Sequence, residues 1–132
     1  MSERLDSPRI LAAAPQLSVA NVVATAEHWR DRFGFEIAGY WGTPPVFAIV
    51  QRDGVEVFFS QVATPPARAG RADGPLDAYF HVAAVDALAA ELRARGADVL
   101  DGPVDRVYLQ RELVVRDVNG LVVAFAEDTS GR

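Results

Sequence analysis

Apolar and polar residues alternate in short stretches along most of this chain, and two longer stretches have helical spacing. Alternation over residues 15–19 predicts a strand. Asn21 is a good helix N-cap, and apolar residues then recur at helical spacing up to a glycine stop at Gly34. Three strands are predicted to follow, over residues 35–41, 46–51 and 55–60. Because Asp53-Gly54 is a hairpin signal between the last two strands, the first half predicts a β-α-β-β-β module.

The same pattern restarts in the second half of the chain. Residues 77–82 predict a strand, and an apolar stripe from Val85 to Leu92 predicts a helix that ends at Gly96. Further strands are predicted over residues 97–100, 112–116 and 121–126. Asn119-Gly120 marks the last hairpin. The second half therefore predicts a second β-α-β-β-β module.

Direct alignment supports this duplication. A shift of 63 positions places Val19 on Val82 and Ala26 on Ala89, and the hairpin glycines Gly54 and Gly120 also correspond. We predict a flexible tail over residues 1–9 and a single domain over 10–132. The domain consists of two modules, about 10–62 and 76–128, joined by a loop over 63–75. The expected fold class is α+β: two tandem modules form a curved mixed sheet with helices on its convex face, and the open concave face is a natural ligand site.

Strand alternation divides the predicted sheet into two faces of different composition. The uniformly apolar face, which the helices are expected to cover, has Leu17, Val19, Val55, Val57, Phe59, Phe80, Val82, Leu121, Val123 and Phe125. The opposite face is mixed, and together with aromatic residues beside it provides the candidate ligand-binding residues. These are Gln16, Trp41, Phe47, Glu56, Phe58, Asp77, Tyr79, His81, Tyr108 and Glu112. Aromatic rings with nearby acids favour a flat aromatic or cationic small molecule.

Composition removes several classes of function. With 50% hydrophobic residues among 132, the chain can bury a core, and the absence of cysteine excludes disulfides and thiolate chemistry. The net charge is −5 and the arginines are scattered, which argues against nucleic-acid binding. No apolar run is long enough to span a bilayer, and the first nine residues do not resemble a signal peptide. We therefore expect a cytoplasmic protein without a membrane partner.

Three regions of the chain, made of five short stretches, carry a resemblance to a known family. They are Leu17-Ser-Val-Ala-Asn21 with Arg32-Phe-Gly-Phe35, Val85-Asp-Ala-Leu88 with Glu91–Gly96, and Arg111–Gly120. In order and spacing they resemble the vicinal oxygen chelate superfamily, which includes glyoxalases, extradiol dioxygenases and bleomycin-resistance proteins. The last segment is most typical of the bleomycin-resistance-like branch. That resemblance implies a homodimer whose clefts sequester a drug or metabolite unchanged.

The resemblance also identifies the positions at which family enzymes hold a divalent metal. They correspond to Ala14, Phe58, Asp77 and Ala124. Three of these side chains cannot ligate, and a lone carboxylate does not hold a transition metal against water. We therefore expect no metal and no cofactor, and a small-molecule binding protein of the antibiotic-resistance type.

Two alternatives remain open from the sequence. A metal-dependent lyase, isomerase or dioxygenase could use a displaced ligand set consisting of Gln16, Glu56, Asp77, His81 and Glu112. A regulatory module could instead fill the cleft with its own side chains.

Overall fold

The computed structural model describes residues 7–132, so most of the predicted tail over 1–9 lies outside the described residues. The elements in chain order are β1 (Gln16–Val19), α1 (Val22–Phe33), β2 (Glu36–Trp41), β3 (Phe47–Arg52), β4 (Val55–Gln61), β5 (Ala78–His81), α2 (Val85–Ala94), β6 (Asp98–Asp105), β7 (Gln110–Arg116) and β8 (Val122–Asp128). This order is β-α-β-β-β repeated twice, so the predicted α+β class with tandem modules is confirmed. No described helix is both long and apolar enough to cross a membrane.

Each module forms its own four-stranded sheet, and the two sheets have the same strand order. Sheet 1 is ordered β1-β4-β3-β2 and sheet 2 is ordered β5-β8-β7-β6. In each sheet the first strand pairs parallel with the last, and the other pairs are antiparallel. The registers correspond as well, because Gln16 lies opposite Phe58 and Tyr79 lies opposite Ala124. Structural equivalence between the modules can therefore be read residue by residue.

The two helices begin differently. At α1 the Asn21 side chain accepts a hydrogen bond from the Ala24 amide at 2.9 Å, and Gly34 ends the helix with a φ of 73°. At α2 the N-cap is Ala84, which has no side-chain acceptor. The Glu127 carboxylate of β8 instead accepts from the Val85 amide at 2.8 Å. The second helix is thus capped from its own sheet, which ties α2 to β8.

One hydrophobic core joins the two modules. It contains the helix-facing residues of both sheets together with the apolar stripes of α1 and α2. Trp29 lies at its centre, with ring contacts to Phe33, Phe35, Phe59 and Phe80, and its indole N–H donates to Asp117 at 3.0 Å. A buried indole requires such an acceptor, and the rings add about 0.5–1.5 kcal/mol per pair beyond area burial.

The predicted apolar face lies in or against this core with one exception. Val55 is 44% exposed, because it is the first residue of β4 and follows the turn at Asp53-Gly54. Strand alternation alone gives no sign that the end of a hairpin extends past the helix that covers its sheet.

Strand β6 is longer than predicted. The expected strand over 97–100 continues to Asp105 through Gly102 and Pro103. Its register with β7 shifts between Val99 and Asp101, and again between Asp101 and Val104. Irregular pairing of this kind accommodates Gly and Pro in a strand, which a count of alternating residues does not detect.

Residues 63–75 contain no helix or strand, and part of this segment lies on sheet 2. Ala72 packs against a small buried cluster of Val114, Val122 and Ala124 on the face opposite the core. The Arg116 guanidinium donates to the Gly70 carbonyl at 2.6 Å. The connection between the modules therefore covers part of one open face.

Candidate functional site

The open face of a sheet, meaning the face opposite the core, is aromatic in sheet 1. Trp41, Phe47 and Phe58 lie on β2, β3 and β4, and their rings meet edge to face at centroid distances of 5.8 and 5.7 Å. Strand register explains the contact, because Trp41 lies opposite Phe47. Trp41 is 49% exposed and the two phenylalanines are half-buried. We call these three residues the aromatic surface.

Two predicted polar residues lie beside the aromatic surface. Gln16 is opposite Phe58 in the register, and its amide donates to the Ser60 hydroxyl at 2.9 Å. Glu56 is exposed on the same face of β4, two residues before Phe58. Sheet 1 therefore brings together five of the predicted residues.

The open face of sheet 2 has a buried carboxylate instead. Glu112 is only 3% exposed, and the hydroxyls of Tyr79 and Tyr108 both donate to its Oε2 atom at 2.7 Å. The Arg106 Nε donates to Oε1 at 3.1 Å, and another Arg106 nitrogen donates to Asp101 at 2.9 Å. We call Tyr79, Tyr108, Glu112 and Arg106 the tyrosine–glutamate cluster.

The hydrogen bonds and burial within the cluster set the protonation states of Glu112, Tyr79 and Tyr108. Burial alone would raise the pKa of Glu112, but the hydrogen bonds from Tyr79, Tyr108 and Arg106 together lower it below its ordinary value. Burial and its hydrogen bond to Glu112 strongly raise the pKa of Tyr79, and the separate hydrogen bond from Tyr108 to Glu112 raises the pKa of Tyr108. The carboxylate is therefore ionised and both phenols are protonated at neutral pH.

Asp77 immediately precedes β5 and His81 is its last residue, and both lie on the same open face. The Asp77 carboxylate accepts from the Val122 amide at 2.9 Å, and the Arg68 Nε is 3.8 Å from its other oxygen. His81 is exposed, and its ring lies edge to face with Tyr79 at 5.4 Å. Asp77 thus stabilises the start of sheet 2.

The structure therefore separates the ten predicted residues into two groups, one on each sheet. Among residues 7–132, no hydrogen bond, ion pair or ring contact joins the aromatic surface to the tyrosine–glutamate cluster. Sequence reasoning missed Arg106, which donates to Glu112 from the β6–β7 connection, and Asp101 of β6, which accepts a hydrogen bond from Arg106. A loop arginine has no periodicity, so no pattern in the sequence could have identified it.

The residues present do not fit the divalent metal of the family enzymes. Ala14, Phe58 and Ala124 offer no donor, and Asp77 is already bonded within the chain. The displaced ligand set does not fit a metal either. Gln16 donates to Ser60, and Glu112 accepts from two tyrosines and an arginine. Within residues 7–132, no three His, Asp or Glu side chains are grouped so that they could hold a metal ion.

Two cavities are lined in part by residues of the tyrosine–glutamate cluster. The larger, about 840 Å³, runs along β5 between the modules and includes Tyr79 and His81 with apolar residues such as Phe35, Phe80 and Leu88. The smaller, about 420 Å³, lies beside the tyrosine–glutamate cluster. Its lining is Ala72, Asp73, Asp101, Arg106 and Tyr108.

Comparison with known proteins agrees with this architecture. The family model described as Glyoxalase/Bleomycin resistance protein/Dioxygenase superfamily matches residues 9–125. No curated protein matches the sequence. Among solved structures, TioX from Micromonospora sp. ML1 has a TM-score of 0.70 at 19% identity, covering 87% of this chain and 96% of that chain.

Two further structures are similar in fold. TnmS3, an antibiotic binding protein from Streptomyces sp. CB03234, has a TM-score of 0.68 at 20% identity, covering 92% of this chain and 99% of that chain. A glyoxalase-related enzyme from Clostridium phytofermentans has a TM-score of 0.70 at 11% identity, covering 92% and 97%. At these identities the likeness shows the shared fold.

Proposed function

This chain belongs to the glyoxalase/bleomycin resistance protein/dioxygenase superfamily, and from that premise we propose that it is a metal-free protein that binds and sequesters a small aromatic molecule. The ligand would be held unchanged, as in the bleomycin-resistance-like branch. The proposal covers the ten residues predicted from the sequence, with the aromatic surface as the main contact.

One observation carries the proposal. Phe58 occupies a position at which the family's enzymes place a metal ligand, and its ring contacts Phe47, which in turn contacts Trp41. A chelating group has therefore been replaced by part of a continuous aromatic surface. Exposed ring faces of this kind attract flat molecules through stacking and burial of apolar area.

A solved relative of the same fold supports this direction. TnmS3 is described as an antibiotic binding protein, and it matches almost the whole of this chain. An antibiotic or a metabolite with a flat ring system is therefore the class of ligand that we propose.

We further propose that the protein works as a cytoplasmic homodimer. Apolar residues are exposed at the β2–β3 and β6–β7 connections, where Val46 is 53%, Val107 is 99% and Leu109 is 54% accessible. A second copy would cover these residues and bring further side chains to the open faces. Light scattering at micromolar concentration would measure the molecular mass, and a monomer would contradict this part.

The central test is ligand binding by protein dialysed against EDTA. The probes are proflavine, a flat aromatic cation, and bleomycin; binding is measured by thermal shift and, for proflavine, by titration of the dye's own fluorescence. Replacing Trp41 with alanine should weaken proflavine binding about tenfold, because it removes one stacking partner. The Y40F variant is the matched control. Tyr40 is next to Trp41 on β2, but it pairs with the buried Ala48 and so lies on the face opposite the aromatic surface.

Two outcomes would contradict the proposal. One is stoichiometric zinc, manganese or iron retained through dialysis without EDTA, with an increase in melting temperature on metal addition. The other is chemical conversion of a bound compound, detected by mass spectrometry after incubation.

A further inference from the structure

We infer that Tyr79 and Tyr108 are specificity-determining residues that accept hydrogen bonds, so that the polar edge of the ligand must carry N–H or O–H donors. The inference rests on the proposed function and narrows the class of ligand that it names. It concerns the open face of sheet 2, and the aromatic surface of sheet 1 enters only as the stacking site.

The argument begins with the direction of two hydrogen bonds. A phenol has one hydrogen to donate and lone pairs that accept. Tyr79 and Tyr108 both direct that hydrogen to Glu112 Oε2, at 2.7 Å in each case. Because an ionised carboxylate only accepts, neither phenol can reverse its bond.

Burial of Glu112 maintains the direction of these two hydrogen bonds. Glu112 is 3% exposed and also receives the Arg106 Nε at 3.1 Å, so removing a phenol donor would leave a buried charge less well satisfied. The two tyrosines are by contrast 38% and 58% exposed. The remaining hydrogen-bonding capacity of these two neighbouring phenol oxygens is acceptance.

The adjacent recess has the same polarity. The 420 Å³ cavity beside Tyr108 is lined by the carboxylates of Asp73 and Asp101 as well as by the phenol. Arg106 is the main donor there, and its guanidinium is paired with Glu112 and Asp101. At the two phenol oxygens, a ligand edge that carried only carbonyl or ether oxygens would meet acceptors and would lose its hydrogen bonds to water without replacement.

Two acridine dyes test the inference directly. Proflavine carries two primary amino groups, whereas acridine orange has the same ring system with both amino groups dimethylated. We expect the protein to bind proflavine about tenfold more tightly than acridine orange, as measured by fluorescence titration of the metal-free protein. In the Y79F/Y108F double variant the preference should fall to within about twofold, mainly through weaker proflavine binding.

The third tyrosine of the chain provides the control. Y40F also removes one phenol, but Tyr40 has no contact with Glu112, so it should keep the tenfold preference. Circular dichroism of each variant shows whether it is folded, and the single variants Y79F and Y108F replace the double variant if it unfolds.

The possible failures are distinguishable. If both dyes bind equally well and Y79F/Y108F changes neither affinity, the inference is overturned while aromatic binding stands. If acridine orange binds more tightly than proflavine, the polarity assigned to this face is wrong. If neither dye binds, both the inference and the aromatic-ligand proposal fail.

Discussion

The open faces of the two modules differ at nearly every equivalent position, although the modules share one fold. The strand registers equate Phe47 with Glu112, because they lie opposite Ser60 and Ala126 of the last strands. In the same way Gln16 corresponds to Tyr79, and Phe58 corresponds to Ala124. Sheet 1 thus presents rings at positions where sheet 2 presents a buried carboxylate and a small residue.

The faces toward the core have diverged far less. Val57 and Phe59 of β4 correspond to Val123 and Phe125 of β8, and all four are buried in the shared core. A closed face must stay apolar for the domain to fold, whereas an open face is free to change. The proposed function accordingly places stacking on the open face of sheet 1 and hydrogen bonding on that of sheet 2.

The largest effect should come from adjacent phenylalanines on opposite faces of one strand. We expect F59A and its equivalent F125A each to lower the free energy of unfolding by about 3 kcal/mol, because each leaves a cavity in the core. F58A, one residue away on the open face, should cost about 1 kcal/mol or less. Urea unfolding followed by circular dichroism measures all three.

Equal losses for F58A and F59A would show that the open face of sheet 1 is structural. Should F59A fail to fold, F59L and F125L provide a milder pair for the same comparison.

Substitution of Glu112 should have a smaller effect on stability that depends on pH, unlike substitution of the equivalent Phe47. At pH 7 we expect E112Q to lower stability by about 2 kcal/mol, since charge-assisted hydrogen bonds become neutral ones. The pKa of Glu112 is lowered in the folded state from 4.5, so the stability from its ionised form is fully present above pH 4.5. It is lost as pH falls through the folded-state pKa, and the difference between E112Q and the parent protein should then disappear.

The F47L variant at the equivalent position is the control, because it should change stability by an amount independent of pH. A difference between E112Q and the parent protein that stays constant from pH 7 down to pH 3 would refute the role of the ionised carboxylate.

The parts of the fold and of the candidate site that can be predicted from the sequence are those whose residues recur at regular spacing. Both helices, the repeat and the core faces follow from alternation and spacing, and Asn21 and Gly34 mark α1 correctly. The aromatic surface also follows, since Phe58 and Phe47 have definite places in the strand register. The tyrosine–glutamate cluster does not, because Tyr108 and Arg106 reach Glu112 from a loop whose conformation no pattern encodes. Likewise, residues 63–75 are held on sheet 2 by contacts that no pattern encodes, among them the bond from Arg116 to the Gly70 carbonyl and the packing of Ala72.

That segment provides the smallest predicted effect, again at a pair of equivalent positions. Arg116 of β7 corresponds to Gln51 of β3, but only Arg116 donates to the Gly70 carbonyl, at 2.6 Å. We expect R116A to lower stability by less than 1 kcal/mol, because the guanidinium is partly exposed and its pair with Asp98 is at the surface. Trypsin cleavage after Arg68 and Arg71 should nevertheless become about fivefold faster, since the segment loses an anchor on sheet 2.

The variants Q51A and D98N separate the anchor from its surroundings. Q51A changes the equivalent position on sheet 1, and D98N removes the ion pair while leaving the bond to Gly70. Both should keep the parent cleavage rate. If D98N accelerates cleavage as much as R116A, the ion pair with Asp98, and not the bond to Gly70, holds the segment. The anchor of the segment on the open face of sheet 2 would then be wrongly assigned.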